Sequence, residues 1–273
     1  MEPLEWCRQR LLVPGNPLNA TLPFADEARQ DAILALRTVI AEIAAAGSEA
    51  EVAEARLNWW YQALRENNAH PAVRALNASG VSETLEPAAF DPLIGGVGES
   101  VGNPRFESTR QAWQFFRRAG GVASALEARL IEPDLVTDEP FIELGAATYL
   151  IRITRDLAVD ARANRWLVPL DLQADYQVSR QDAIADKATP AFNGLIRALL
   201  SEALGRADLA QKTLDGQAAW KHRHQLLLWT LDRHLATRLA RRPQMILERR
   251  LLPGHAGNVW RAWRAARRLK KAS

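Results

Sequence analysis

Apolar residues recur along this chain at helical spacing. In DEARQDAILALRTVIAEIAAA (26–46), Ala32, Leu36, Val39, Ile40 and Ile43 fall on one face of a 3.6-residue period. The pattern predicts a helix that Asp26 caps and Gly47 stops. GSEAEVAEARLNWWYQALREN (47–67) predicts a second, with Ser48 and Glu51 as a capping box and Val52, Leu57, Trp60 and Leu64 along its stripe. HPAVRALNASG (70–80) reads as a short helix with Pro71 in its first turn, and EPAAFDPLIGGVGES (86–100) as a helix loosened by three glycines. ESTRQAWQFFRRAGGVASALEARL (107–130) is long and carries Gly120-Gly121, a pair that either kinks a helix or admits a close neighbour. PFIELGAATYLIRITRDLAVDARANR (140–165) is another long helix, with Pro169 and Asp171 expected in the loop beyond it. Residues 189–210 and 215–242 predict two more, and NVWRAWRAARRLKK (258–271) a last one.

No alternating strand pattern with hairpin turns and no internal repeat interrupts this series. Eight or so helices in one unit predict an all-α fold, a single-domain helical bundle over residues 1–273 that ends in a basic helix at about 257–271.

Composition supports a folded chain: 48 % of the 273 residues are apolar, and the 14 Pro and 15 Gly gather in no linker. The single cysteine, Cys7, cannot form an internal disulfide, which fits a reducing compartment. MEPLEWCRQR has no apolar run after a basic stretch, so no signal peptide is expected, and no run of about 18 uncharged apolar residues is present to span a bilayer. These features predict a cytoplasmic protein.

Charge changes the picture at one end. Residues 241–273 hold ten Lys and Arg against one acid, Glu248, which leaves 25 basic and 31 acidic residues, a balance of −6, in residues 1–240. A basic tail on an acidic body suggests an anionic partner. Val259, Trp260, Trp263, Ala266 and Leu269 can share an apolar side of the last helix, with Arg261, Arg264, Arg267, Arg268 and Lys271 mostly around the other. That arrangement suits peripheral attachment to an anionic membrane surface, with Trp260, Trp263, Arg264, Arg267 and Arg268 as the contacts. The alternative is a helix docked on the bundle over 259–266 with its basic end free. The acidic body and the lack of a recognised binding motif argue against nucleic acid.

Candidate chemistry centres on RITRDLAVDARANRWLVP (152–169). Asp156 and Asp160 are four apart, so on a helix they share a face with Cβ atoms roughly 5–6 Å apart. Two such carboxylates, with substrate phosphate, are a workable Mg²⁺ site. Alone, the spacing more often marks a solvated acidic face.

The longer run LGAATYLIRITRDLAVDARANRWLVPLD resembles the second aspartate-rich segment of the squalene/phytoene synthase family. Leu144, Gly145, Ala147, Arg155, Asp156, Asp160, Arg165 and Pro169 match its pattern. LPFADEARQDAILAL, EARLNWWYQALRENNAHPAVRAL, NPRFESTRQAWQFFRRAGGVA and RLLPGHAGNVWRAWRAARR are similar to further family segments, in the family's order, so the resemblance covers most of residues 20–268. It implies an all-α isoprenoid-synthase fold. It also implies an activity: Mg²⁺-dependent head-to-head condensation of two prenyl diphosphates between two aspartate-rich helices. On that implication Asp156 and Asp160 hold metal, while Arg117, Arg155 and Arg165 bind diphosphate. Trp59, Trp60, Phe116 and Tyr149 are the aromatic candidates for cavity wall, against the plainer reading of core packing.

The chain departs from the family at the first aspartate-rich segment. Ala44 and Ala45 stand in the places of the paired acids, Ser48 in that of the third, and Arg37, Val39 and Ala41 replace flanking aromatics and an arginine. Glu42 lies two residues early, about 200° round the helix. Tyr149 and Arg152 replace a Gln and an Asn of the second segment, and Phe116 a Tyr. Ionising an allylic diphosphate requires concentrated positive charge at the leaving group, and carboxylates on one wall alone do not assemble a three-ion cluster. The expectation is a catalytically degenerate member that binds an apolar or isoprenoid ligand, or serves assembly, near a membrane. It needs no cofactor, and Arg152, four residues before Asp156, supplies the cation by pairing with that carboxylate. The stretch VIAEIAAAGSEAEVAEARLNWW resembles the complex I assembly factor branch of the superfamily, which also lacks the pair. The alternatives are an active synthase acting on farnesyl or geranylgeranyl diphosphate and a lipid-surface scaffold that uses only its tail.

Other candidates carry less. His222 and His224, one residue apart, do not converge on a metal and read as surface or partly buried. His234 and His255 have no obvious acidic or cysteine partners. Cys7 is expected in a mobile N-terminus, and no phosphate loop or nucleophile elbow is present.

Overall fold

The helical periods become helices at nearly every predicted place. The structure, a computed structural model, describes residues 1–47, 50–66, 70–248 and 255–273. The chain begins with α1 (Pro3–Leu11), α2 (Leu18–Thr21), α3 (Gln30–Ala46), α4 (Ala50–Arg65), α5 (Pro71–Ala78), α6 (Val81–Thr84) and α7 (Asp91–Val101). Next, α8 (Thr109–Phe116) passes through a five-residue π-helical turn, Arg117–Gly121, into α9 (Val122–Ile131), and α10 (Glu139–Arg162) follows. The remainder is α11 (Leu170–Tyr176), α12 (Arg180–Ile184), α13 (Pro190–Lys212), α14 (Gly216–Lys221), α15 (Arg223–Arg241), α16 (Met245–Glu248) and α17 (His255–Ala272). Among the described residues there is no strand, and the fold is an all-α bundle.

Local chemistry sets the helix starts. The hydroxyl of Thr189 accepts from the backbone N–H of Phe192 at 3.0 Å, one residue before Pro190 opens α13. Asp215 does the same for α14 from Ala218 at 2.8 Å, and Ser179 with Asp182 closes a full capping box on α12. Such caps stabilise a helix by about 1 kcal/mol each.

Several boundaries differ from the sequence reading. Asp26 accepts from Ala28 and so caps a short 3₁₀ turn, Glu27–Arg29, that precedes α3. The run 215–242 is two helices, broken at His222, which is buried and ties its ring to Glu132. Asp171 is not in a loop: it sits in the first turn of α11, after Pro169, and accepts from the backbone N–H of Thr109 at 2.6 Å. Cys7 is buried in α1, packed in the core. Ser48, half of the expected capping box and the place of the third acid, lies outside the described residues.

Two hydrophobic clusters organise the bundle. One gathers α1, α3, α4, α5 and α7 around Ile33, Leu36, Ile43, Trp60, Phe90 and Leu93. The other gathers α8, α10, α13 and α15 around Trp113, Phe115, Ile151, Phe192, Leu200 and Trp229. The π-helical turn lies against α10 with almost nothing between the backbones. A Cβ on Gly120 would stand 2.9 Å from the carbonyl oxygen of Gly145, and one on Gly145 would stand 2.7 Å from that of Gly120. The glycine pair therefore does both things expected of it: it lies in an irregular turn and it lets a neighbouring helix come close.

Candidate functional site

The space between the clusters is not filled. An inner chamber of about 420 Å³ is lined by α3, α7, the π turn, α9, α10 and α15, with Leu93, Val97, Ala123, Leu144, Ile153 and Trp229 among its apolar walls. A wider outer chamber of about 760 Å³ is bounded by the loop after α1 and by α3, α10, α15 and the start of α17. The two share Arg37, Ile40, Ala44, Arg152, Leu228 and Asp232, which form the neck between them.

The α3 wall follows directly from its sequence. Arg37, Ile40, Ala41 and Ala44 recur at helical spacing and turn one stripe toward the chambers. Ala44 is exposed into this space, whereas Ala45 is exposed outside both linings. Glu42 points away and takes a 2.5 Å hydrogen bond from Arg10 of α1. The neck charge of α3 is Arg37, whose guanidinium donates to Glu127 of α9, a carboxylate with 0 % exposure. The other oxygen of Glu127 stands 3.7 Å from the Nε2 of His224, also buried.

The α10 wall brings Tyr149, Arg152, Asp156, Asp160 and Arg165 to the inner chamber. Asp156 is gripped at two points by Arg155, with Nε at 2.9 Å from Oδ1. This corrects the expected pairing, because Arg152 reaches instead across the neck to Asp232 of α15, at 3.2 Å. The reason is direction: Arg155 lies flat along its own helix onto the adjacent acid, and Arg152 extends toward a carboxylate on the next wall. Arg165 Nε approaches Asp160 at 3.8 Å. Burial pushes the Tyr149 phenol above its ordinary pKa.

Charge thus pairs off inside and accumulates outside. Arg37, Arg152, Arg155 and Arg165 each meet one carboxylate. Arg238 of α15 and Arg261 of α17 also line the outer chamber, and among the described residues neither has an ion-pair partner. Their field is felt locally: His234, on the same wall, titrates below the ordinary histidine range, through partial burial first and then through Arg261, Arg238 and Arg241. Among the described residues no three His, Cys, Asp or Glu side chains group closely enough to hold a metal ion.

Of the residues singled out from sequence, Tyr149, Arg152, Arg155, Arg165, Asp156 and Asp160 come together around the chambers, Arg155 on the outer one and Arg152 on both. The others do not. Arg117 is engaged by Glu139 and Glu143, which hold its guanidinium well above its usual pKa. Trp60 is buried in the N-terminal cluster, and Trp59 lies exposed beside it, edge-on to His70. Phe116 is buried against Phe106, Trp113 and Tyr149. His222 and His224 are fully buried, against their reading as surface or partly buried residues: the His222 ring packs on Phe141 of α10 and bonds to Glu132, the His224 ring stands beside the buried Glu127, and α15 is covered by α10, α13 and α17. On α17, Asn258, Ala262 and Ala266 face inward while Trp260 and Trp263 are 54 % and 47 % exposed, under the guanidinium groups of Arg264 and Arg267. The docked side and the tryptophan side are therefore different sides. Sequence reasoning missed Asp232, Arg238 and Glu127. The visible signal for Asp232 was an acid within the apolar run LLLWTLDRHL.

Among curated protein sequences none matches the chain. Solved structures do. A dehydrosqualene synthase in complex with a ligand is similar at a TM-score of 0.77 and 12 % identity, covering 98 % of this chain and 95 % of that one. The squalene synthase HpnC from Alicyclobacillus acidocaldarius gives 0.71 at 15 % identity, covering 89 % and 94 %. YisP from Bacillus subtilis gives 0.73 at 15 %, covering 96 % and 95 %. At such identities these likenesses speak to the fold. The sequence itself matches the squalene/phytoene synthase model over residues 16–256, from the loop before α2 into α17, and the chain belongs to that family.

Proposed function

We propose that this member of the family does not transfer prenyl groups and instead binds an apolar ligand in its paired chambers, at or near an anionic membrane surface. The observation that carries the reading is the α3 wall, which presents Ile40, Ala41 and Ala44 to the space where the family's first acid-rich helix contributes carboxylates. On α10, Asp156 and Asp160 remain, yet each has a guanidinium within reach. That donor set does not fit a cluster of Mg²⁺ ions around a diphosphate, because Mg²⁺ in such sites is held by carboxylates as well as phosphate oxygens. Without a concentrated cation at the leaving group, ionisation is slow: each 1.36 kcal/mol added to the barrier is a tenfold loss of rate. Between the charged groups the inner chamber carries Ile40, Leu93, Val97, Leu144, Ile153 and Leu228, an aliphatic surface that suits a hydrocarbon chain.

Membrane proximity rests on α17. Trp260 and Trp263 are exposed beside Arg264, Arg267 and Arg268, and no acid occurs between His255 and Ala272. Among the described residues no helix is long and apolar enough to cross a membrane, so attachment on this reading is peripheral.

The direct test is incubation of the pure protein with farnesyl and geranylgeranyl diphosphate and Mg²⁺, followed by analysis for C30 and C40 hydrocarbon and released pyrophosphate. The expected result is no product above a protein-free blank. Sustained, metal-dependent synthesis would establish the alternative, an active synthase using Asp156 and Asp160. For the membrane part, flotation with phosphatidylglycerol vesicles should be lost in W260A/W263A and weakened in R264E/R267E.

A further inference from the structure

The outer chamber has a feature that a purely apolar ligand leaves unused. Five arginines line it, Arg37, Arg152, Arg155, Arg238 and Arg261, against one carboxylate, Asp232. Three of the five are neutralised by Glu127, Asp232 and Asp156. The surplus is Arg238 and Arg261, two positive charges on facing elements of the mouth, α15 and α17. Behind them, Leu228, Leu231 and Leu235 of α15 and Ile40 of α3 lead to the neck at Ala44, and beyond it lies the inner chamber, where Leu93, Val97, Ala123, Leu144, Ile153 and Trp229 stand beside the ion-paired Asp156, Asp160 and Arg165. The order along this path is two cations unpaired among the described residues, then a neck whose arginines are paired, then a chamber of mixed lining whose carboxylates each lie beside an arginine.

We infer that the paired chambers take a single-chain lipid ending in a phosphate, held at the mouth by Arg238 and Arg261 with no divalent cation, its chain passing Ala44 into the inner chamber. This rests on the ligand-binding reading above and gives its ligand a head group. Guanidinium suits the role because its forked donors match phosphate oxygens in pairs, and it stays charged at any physiological pH. The neck residue fits the same account: a methyl at Ala44 leaves room for a chain, and the aspartate of the family pattern at that place would set a charge against it. Arg37 and Arg152 border the neck already tied to carboxylates, so they shape the passage without adding net charge to it. Such a lipid can arrive as a soluble isoprenoid phosphate or from a bilayer as a lysophospholipid with a phosphate monoester head. The chemistry recognised is the same.

Calorimetric titration in EDTA with farnesyl phosphate, oleoyl lysophosphatidic acid and the neutral alcohol farnesol tests this. At least one phosphate is expected to bind without metal, more tightly than farnesol, and unchanged on addition of Mg²⁺. The tighter of the two phosphates identifies the source. R238Q/R261Q should weaken phosphate binding at least about tenfold, the scale of losing charge-assisted hydrogen bonds, and leave farnesol unaffected. The double variant should fold, since neither arginine has an ion-pair partner among the described residues, and circular dichroism checks it. Butyl phosphate, which lacks most of the apolar chain, should bind more weakly than farnesyl phosphate; this comparison needs no variant. Farnesol binding as tightly as the phosphates would overturn the head-group assignment and leave the apolar-ligand reading standing, as would equal binding by R238Q/R261Q. Phosphate binding that appears only with Mg²⁺ would overturn the metal-free assignment. Failure of all the probes to bind would overturn both readings.

Discussion

Helices α3 and α10 border the same chambers and have diverged in how they carry charge. On α10 two carboxylates persist, and each lies beside an arginine of the chain's own: Arg155 grips Asp156, and Arg165 stands 3.8 Å from Asp160. On α3 the acids are absent from the cavity face, and the neck charge is the cation Arg37, anchored from behind by the buried Glu127. An aspartate pair at helical spacing is thus compatible with two chemistries. What separates them is whether the opposite charge comes from solvent or from the protein. In α10 a guanidinium group of the chain itself lies beside each carboxylate.

The first way to break this comparison is to remove the anchored cation. Glu127 has no exposure, so Arg37→Ala leaves a carboxylate buried with only His224 near its second oxygen. Breaking one side of a buried pair costs about 3–5 kcal/mol. Arg155→Ala should cost less, about 1 kcal/mol, because that pair keeps contact with water. Urea denaturation at pH 7 reads both. Equal losses would mean that the α3 anchor is no more buried in effect than the α10 pair.

A second perturbation acts where α10 meets the π-helical turn. Gly120→Ala places a Cβ 2.9 Å from the carbonyl of Gly145 and against the side chain of Tyr149. Backbone cannot yield as a flexible side chain does, so the expected loss is about 1–3 kcal/mol. Gly95→Ala, on α7 with nothing near the added methyl, serves as control and should be neutral or slightly stabilising.

These contrasts also mark what the sequence made legible. Periodicity placed α3, α10, α13 and α17, because each carries a continuous apolar stripe. It ran 215–242 together as one helix, because the break at His222 comes from tertiary contacts, a ring bonded to Glu132 and Gln225, and from no Pro or Gly. Ala44 and Ala45 were visible at once as missing acids. Which of them faces the cavity required the rotation of α3 against its neighbours. The Arg152 pairing went to Asp232 because spacing along one helix names local candidates only, and the actual partner lies 80 residues away. Arg238 drew no attention since arginines at the end of a helix usually complement its dipole. Trp60 and Phe116 illustrate the other limit: large aromatics satisfy a core as well as a cavity wall.

Acid pH weakens the fold through the buried histidines. Burial, the leading cause for both, holds His222 and His224 below the ordinary histidine pKa of about 6.5, so the folded chain keeps them neutral while the unfolded chain protonates them. Stability is full above that value and falls as pH drops through it toward the folded pKa values. Glu132, held down by Lys221 and then His222, adds a second decline that begins only below the ordinary glutamate range. Melting temperature should therefore fall between pH 7 and pH 5. In H224N the first decline should be shallower than in the native chain. An identical slope would show that His224 does not differ in protonation between the two states.

The smallest expected effect on stability belongs to the change that addresses the comparison most directly. Ala44→Asp, alone or with Ala45→Asp, restores acids to α3 at positions that are already exposed. Aspartate is a poorer helix former than alanine, so each substitution should cost roughly 0.5 kcal/mol, and the double variant should stay folded. The Ala44→Asp carboxylate would stand at the neck near Arg37 and Arg152, both already paired, so it adds an acid to the wall without breaking either bridge. If the two walls differ only in the number of acids, the double variant should gain Mg²⁺ affinity that calorimetry detects and the native chain lacks. If Arg155 occupies Asp156 as firmly as its two-point contact indicates, that gain should be small until Arg155→Gln is added. A large gain in the α3 variant alone would show that the α10 carboxylates are held less firmly than the two-point contact of Arg155 on Asp156 implies.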